Sequence, residues 1–259
     1  MNNFISDYEI TNDIKTKLRN IENNLAKINA IDKNEKYYKF CDELKQEIIF
    51  STLKINNKNL TIADVKQHIN SNKIYEIDKN IIVVKNIKNA YENASEINIY
   101  KIGDLLKIHN IVSRELIQDT GCTRSQQVVS YLNGNKIVCL ALPPKQVVLR
   151  LEALFEWLRT SEENTIIKAC VFYYEFAFIH PFRKYNGVVS RIWQKAILSS
   201  YNKCFMKVPI ESAINNNFEN VNSLIAFSKG EEDCTSFVNF MLLLINNSLE
   251  SFITAFNNR

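Results

Sequence analysis

Glycine and proline are scarce, at 5 and 4 residues in a chain of 259. A sandwich or barrel of many short strands needs many tight turns, and turns draw on those two residue types. The composition therefore argues against such folds and favours helices. No uncharged apolar run reaches the length of a membrane span. The nearest, FVNFMLLLINNSLESF, is interrupted by Asn246 and Asn247 and reads as a buried helix, so no membrane partner is expected. The net charge is only +4 and no dense basic stripe appears, which gives no reason to expect a nucleic-acid partner. The cysteines (Cys41, Cys122, Cys139, Cys170, Cys204, Cys234) form no CxxC pair and no zinc spacing. They read as reduced thiols of a cytoplasm, the cell's own or a host's. The opening MNNFISDYEITND is polar and acidic and lacks the basic-then-apolar order of a leader.

What is present is helical periodicity. Ile14, Leu18, Ile21, Leu25 and Ile28 mark an amphipathic helix within residues 1–35. A second helix is expected over 37–56, and a third from Thr61, whose T-x-x-D pattern suits an N-cap. Helices are further expected over 79–93, 98–118, 145–159, 164–179, 188–201, 210–227 and 233–256. One segment breaks the pattern: SQQVVSYLNGNKIVCLALPP alternates around Asn133-Gly134-Asn135, a hairpin signal, and Pro143-Pro144 ends it.

The stretch FAFIHPFRKYNGVVSR, residues 176–191, holds the one histidine of the second half of the chain. The run before it, NTIIKACVFYYEFAF, is apolar nearly all round and reads as a central buried helix. Pro181 disfavours helical geometry at His180, so that helix ends there. A short loop follows and a new helix begins, with Arg191 in its first turn. Loop amides and a helix N-terminus aimed at one spot form a natural anion site. Asn186 and Gly187 supply a side chain and close backbone approach. Arg191 supplies a fork for phosphate oxygens, and His180 stands where a general base for an incoming hydroxyl would stand. Taken alone, the same residues also describe an ordinary connector between two helices.

The segment resembles the signature of the Fic family, H-P-F-x-(D/E)-G-N-G-R-x-x-R, with His180, Pro181, Phe182, Asn186, Gly187 and Arg191 matching in type and spacing. Ile108-His109 resembles the family's upstream "LH" element, and Gly121 and Arg124 its "G-x-x-R" element. The hairpin falls where the family has its target-docking flap. The resemblance runs from about residue 45 to the end. It implies a mainly α-helical Fic-type core with a single β-hairpin flap and an N-terminal helical extension. The expected organisation is an extension over residues 1–60 and a Fic-like domain over 61–259. It implies transfer of AMP from ATP to a hydroxyl side chain of a target protein. His180 would be the catalytic base. Phe182, Lys184, Asn186, Gly187, Val188 and Arg191 would line the nucleotide, and Val138, Cys139, Leu140, Ala141 and Leu142 would dock the target as an added strand.

The sequence departs from that signature at three positions. Lys184 stands at the metal-binding acid, Tyr185 at the next glycine and Val188 at the first arginine. A carboxylate normally holds Mg²⁺, so Lys184 speaks against the ion, and losing it as a Lewis acid corresponds to roughly a hundredfold to ten-thousandfold in rate. Upstream, many family members carry an inhibitory helix, (S/T)-x-x-x-E-(G/N), whose glutamate pairs with the second arginine. Counted from Thr52 the glutamate position is Asn56, and counted from Ser51 it is Ile55; neither is acidic. Arg191 is then expected to be restrained by a neutral hydrogen bond or not at all. Three readings stay open: an adenylyltransferase with an altered site, a catalytically inactive protein-binding member, and a related transferase with another donor. His109 on its apolar helix reads as a packed, hydrogen-bonded core histidine, His68 as solvated and Tyr173 as packing.

Overall fold

The computed structural model describes residues 5–55, 60–69, 79–132, 135–228 and 233–259. In chain order the helices α1 (Asn12–Asn29), α2 (Glu35–Lys54), α3 (Ile62–Ile69), α4 (Lys79–Asn93) and α5 (Ile102–Ser113) come first. Strands β1 (Val129–Leu132) and β2 (Asn135–Leu140) follow. Then come α6 (Pro144–Thr160), α7 (Thr165–Ile179), α8 (Asn186–Tyr201), α9 (Ile210–Asn216), α10 (Phe218–Ser228) and α11 (Thr235–Asn257), with a 3-10 turn, Lys203–Met206, after α8. The fold is mainly α, as expected.

The centre is α7. Its sequence is apolar on every face, and it is accordingly covered by α6, α8, α10 and α11. Asn164 starts it, its side chain accepting from the Ile166 N–H at 2.8 Å. Phe172, Phe176 and Trp193 of α8 stack within the shared core. The partner helix α8 is buried along most of its length. The loop between these two helices is therefore fastened at both ends to buried helices.

The N-terminal helices join the same core. Thr11 caps α1 by accepting from the Ile14 N–H, and the stripe Ile14, Ile21, Leu25, Ile28 is buried along α11. Helix α11 has the length and apolar composition of a membrane span, but here it is a core helix packed on α1, α7, α9 and α10. Asn246, which interrupts its apolar run, accepts a buried hydrogen bond from Asn24 of α1 at 3.0 Å. Before α1 an extended strap crosses α7 and α11: the Ser6 N–H donates to Glu175 at 2.7 Å, and the Cys234 N–H to the Asp7 carbonyl at 2.8 Å. Helix α2 packs on α9, α3 and α4.

Several boundaries differ from the periodicity. The first helix starts at Asn12, after the strap. The helix expected over 98–118 is only Ile102–Ser113, because Asn98 is tied to Asp104 before it and Glu115 turns left-handed (φ 64°) after it. The helix expected over 210–227 is two, split at Asn217, whose side chain turns back to the Ala213 carbonyl; asparagine competes with the helix for backbone partners. Thr61 and Asp64 do form a reciprocal cap at the start of α3.

One polar group is set deep in this apolar frame. Lys195 of α8 is fully buried and faces Glu211 of α9 at 3.0 Å. It also donates to the Val208 and Phe205 carbonyls, at 2.7 and 3.2 Å. Burial pulls the ammonium pKa down and Glu211 opposes that. Removing one partner leaves the other charge buried alone. Lys195→Met is thus expected to cost about 3–5 kcal/mol in urea unfolding, and Lys195→Met with Glu211→Gln to recover most of it. Equal losses in the single and double variants would show that the pair carries no coupling.

Candidate active site

Helix α7 and helix α8 are joined by residues 180–185, and both ends of this loop are left-handed. His180 has φ 49° and ψ 60°, and Tyr185 has φ 69° and ψ 11°. Apart from Glu115 they are the non-glycine positive-φ positions among the described residues. Each costs on the order of 1–2 kcal/mol against right-handed backbone. The glycine of the Fic signature would relieve this at position 185. Here a tyrosine occupies it, with its ring half-buried against the core in compensation.

Three side chains hold the loop in that shape. Asn186, first residue of α8, accepts from the Phe182 N–H at 2.8 Å and donates to the Phe182 carbonyl at 2.7 Å. His109 of α5 stacks on the Phe182 ring, centroids 3.8 Å apart and 6° from parallel. Its Nδ1 accepts from the Gly121 N–H at 2.9 Å, so the ring proton sits on Nε2, which faces the Lys184 carbonyl at 3.2 Å. Gly121 needs to be glycine: φ is +69°, and a Cβ would meet Asn110 and the Leu106 carbonyl at 3.2 Å. The third is Arg124, whose main-chain N–H donates to the Pro181 carbonyl at 2.8 Å and whose Nε donates to the His180 carbonyl at 2.7 Å.

Arg191 lies one turn into α8, its guanidinium folded back over Gly187, where a Cβ would meet Nη1 at 3.2 Å. It is buried. Nη2 donates to the Thr52 carbonyl of α2 at 3.1 Å. That carbonyl belongs to the last turn of α2, where carbonyls lack intrahelical partners and the helix end is partly negative. Nε has no partner among the described residues. The Thr52 hydroxyl pairs with Tyr91 at 2.7 Å, and Tyr91 donates to Glu211 at 3.0 Å. Arg191 thus touches the far end of a buried chain that runs through Tyr91 and Glu211 to Lys195. No sequence signal announced Tyr91 or Glu211: they are brought together only by the packing of α2, α4, α8 and α9.

The expected site residues divide into two groups. His180, Lys184, Gly187 and Arg191 gather around the α7–α8 loop, with Arg183 and Lys184 exposed. The side chains of Phe182 and Val188 lie in the core, and the Asn186 side chain is hydrogen-bonded to the loop backbone. Strand β2 pairs antiparallel with β1, Val129 opposite Leu140 and Ser130 opposite Cys139, with an irregularity between Ser130 and Leu132. Asn133 and Gly134, where the turn was expected, lie outside the described residues. Val138, Cys139 and Leu140 lie on β2, whose other edge has no partner strand among the described residues. The carbonyls of Ala141 and Leu142 are turned inward, accepting from Gln127 and Arg124. Thr52 is buried, Ile55 caps α2, and Asn56 lies outside the described residues.

These residues do not fit a divalent cation. An ammonium, Lys184, takes the acid's place, and the near acid, Asp119, pairs with Arg183 at 3.6 Å. No group of three His, Cys, Asp or Glu side chains that could hold a metal occurs among the described residues. They do suit an anion: two exposed basic side chains flank the N-terminus of a sixteen-residue helix.

A helical core with a histidine-ended central helix, an anion-suited helix start and a side hairpin defines a class. Residues 100–198 match the Fic/DOC family. The chain is similar over 96% of its length to a Fic family protein from Desulfovibrio desulfuricans, at 28% identity and TM-score 0.86, covering 76% of that chain. It shares the fold of Fic-1 from C. elegans (16% identity, TM-score 0.77, 94% of this chain and 73% of that one). It also shares that of a Fic domain containing signaling protein from Bacteroides thetaiotaomicron (16%, 0.72, 95% and 98%). No curated protein matches it. The family match covers residues 100–198, and the wider helical frame around them is common to these structures.

The His109 brace has a pH signature. Burial draws its pKa down to about 4 from 6.5, against the smaller opposing effect of its bond to Lys184. Unfolded chains take up this proton below about pH 6.5, whereas the folded protein refuses it until about pH 4, so stability is full above the window and falls through it, by up to about 3 kcal/mol. Urea midpoints measured from pH 7 to pH 4 should fall more steeply for the wild type than for His109→Gln. Parallel curves would show that His109 is not the titrating group.

Proposed function

We propose that the protein transfers AMP from ATP to a hydroxyl side chain of a target protein, through a site altered so that it works without Mg²⁺. The observation that carries this reading is the position of His180 at the left-handed end of α7, directly before the N-terminus of α8, with Lys184 in the loop between and Arg191 one turn on. In the proposed reaction His180 takes the proton of the target hydroxyl. The freed oxygen attacks the α-phosphorus, a new P–O bond forms, and the bond to pyrophosphate breaks. The α8 amides and Lys184 offset charge on the phosphates, and Arg191 holds the terminal ones. The target presents its hydroxyl on an extended segment added to the free edge of β2. Because Arg191 is spent on the Thr52 carbonyl, nucleotide must displace that contact, and weak binding is expected.

A second reading is favoured by Lys184 and by the strained Tyr185: a protein that keeps the hairpin for docking and has lost transfer. Calorimetric titration with ATP separates the two. For the transferase we expect binding that Mg²⁺ does not strengthen and that Arg191→Ala weakens about tenfold or more, the loss of one charged hydrogen bond. Lys184→Glu should make binding Mg²⁺-dependent and should raise transfer, read as a 5′-AMP mass increment on the protein or on added target. Failure of the folded wild type and of Lys184→Glu to bind ATP would sink the transferase reading and leave the docking protein.

A further inference from the structure

Arg124 is the most heavily committed side chain around the α7–α8 loop. It is almost fully buried, at 6% exposure. Its partners among the described residues are all main-chain carbonyls, and they belong to three different parts of the chain. Nε donates to His180 at 2.7 Å and Nη2 to Ile179 at 3.3 Å, both at the C-terminal end of α7. Nη2 also donates to the Leu142 carbonyl, just beyond β2. Nη1 donates to Gln126 at 3.1 Å, on the way into β1. The main-chain N–H of the same residue holds Pro181.

These contacts have a consequence for direction. The path of a side chain from its Cα follows the backbone dihedrals. His180 sits in a left-handed conformation that costs energy, so it persists only while its surroundings enforce it. Arg124 grips the carbonyls on both sides of His180 and the one after it, and so fixes the peptide planes that set the φ and ψ of His180. The carbonyls it satisfies lie at a helix end, where intrahelical partners run out, and a cation there also matches the negative helix end. The same guanidinium fixes the exit of β2, and Gln127 adds a second tie to the Ala141 carbonyl at 2.7 Å. One rigid planar group therefore spans the base of the hairpin and the residue that aims the imidazole. A lysine would keep the charge but not the fork, since its ammonium is a single point of three donors.

We infer that Arg124 is a positioning residue that couples the docking hairpin to His180, so that a segment added to β2 is held at a fixed register to the imidazole. The roles of hairpin and imidazole in this statement rest on the function proposed above. The physical coupling does not, and it is measured without nucleotide or target.

The test uses the full chain, whose three histidines give a simple imidazole spectrum. Nitrogen-15 ring signals of His180, assigned with His180→Ala, are recorded beside hydrogen exchange of amides 135–142. In Arg124→Lys both should change together: a displaced or broadened His180 signal, and exchange in the hairpin faster by about tenfold, the loss of one charged hydrogen bond. Exchange in α11 should stay at the wild-type level. Should Arg124→Lys fail to fold, Val138→Pro, which breaks β2 and leaves Arg124 in place, tests the same coupling from the other side and should also displace the His180 signal. A hairpin loosened in either variant with the His180 signal unmoved would overturn the inference and leave Arg124 a local anchor. Loss of ATP binding in calorimetry, with the two signals still moving together, would count against the transferase reading alone.

Discussion

The rest of the site depends on one constraint: the chain must reverse between α7 and α8 within six residues while both flanking helices stay locked in the core. The solution uses left-handed backbone at His180 and at Tyr185, neither of them glycine. The combined cost, roughly 2–4 kcal/mol, is comparable to what the bracing hydrogen bonds return, at about 0.5–1.5 kcal/mol each and more for those from the charged Arg124. The loop shape is therefore conditional. It exists because Asn186, His109 and Arg124 all reach it, from α8, α5 and the segment before the hairpin, and each of those three is itself anchored elsewhere.

That conditionality bears on the three positions at which this loop differs from the signature it resembles. Lys184, Tyr185 and Val188 depart from the Fic pattern, yet each departure is absorbed. The Lys184 carbonyl still meets His109, the Tyr185 ring is partly covered, and Val188 completes the core. What cannot be absorbed is chemistry. The exposed ammonium of Lys184 reverses the local charge at the place where a cation would be coordinated.

Much of this was legible in the sequence, for identifiable reasons. The all-round apolar run of α7 could only be a buried helix, and the His-Pro step could only end it. Strands β1 and β2 were marked by the alternation on either side of Asn133 and Gly134, which lie outside the described residues, and the cap of α3 by Thr61 and Asp64. Other features were hidden because they are made by packing. The two bonds that tie Asn186 to the Phe182 backbone are not announced by their spacing. Val188 looks like a missing charge until its side chain is found in the core. The split at Asn217 hid inside a continuous helical period, and the buried chain from Thr52 through Tyr91 and Glu211 to Lys195 joins residues that are far apart in sequence.

The cover over Arg191 follows from the same reasoning about magnitude. Its direct contact is one hydrogen bond to a neutral carbonyl, aided by the negative end of α2; together these amount to about 2–4 kcal/mol. Helix α2 is held far more strongly by what it buries, including Tyr37, Phe40, Ile48, Ile49 and Leu53, since each such side chain contributes about 1.5–3 kcal/mol. A ligand competing for Arg191 therefore has no need to lift the helix, and lacks the free energy to do so. It needs only to displace the carbonyl contact, since the last turn stays tied by the Thr52–Tyr91 pair and by the burial of Leu53. A glutamate in that turn would set an ion pair against the incoming phosphate. A bare carbonyl sets only a dipole, so in this protein the restraint on the arginine is the closeness of packing around it rather than a charge placed to hold it.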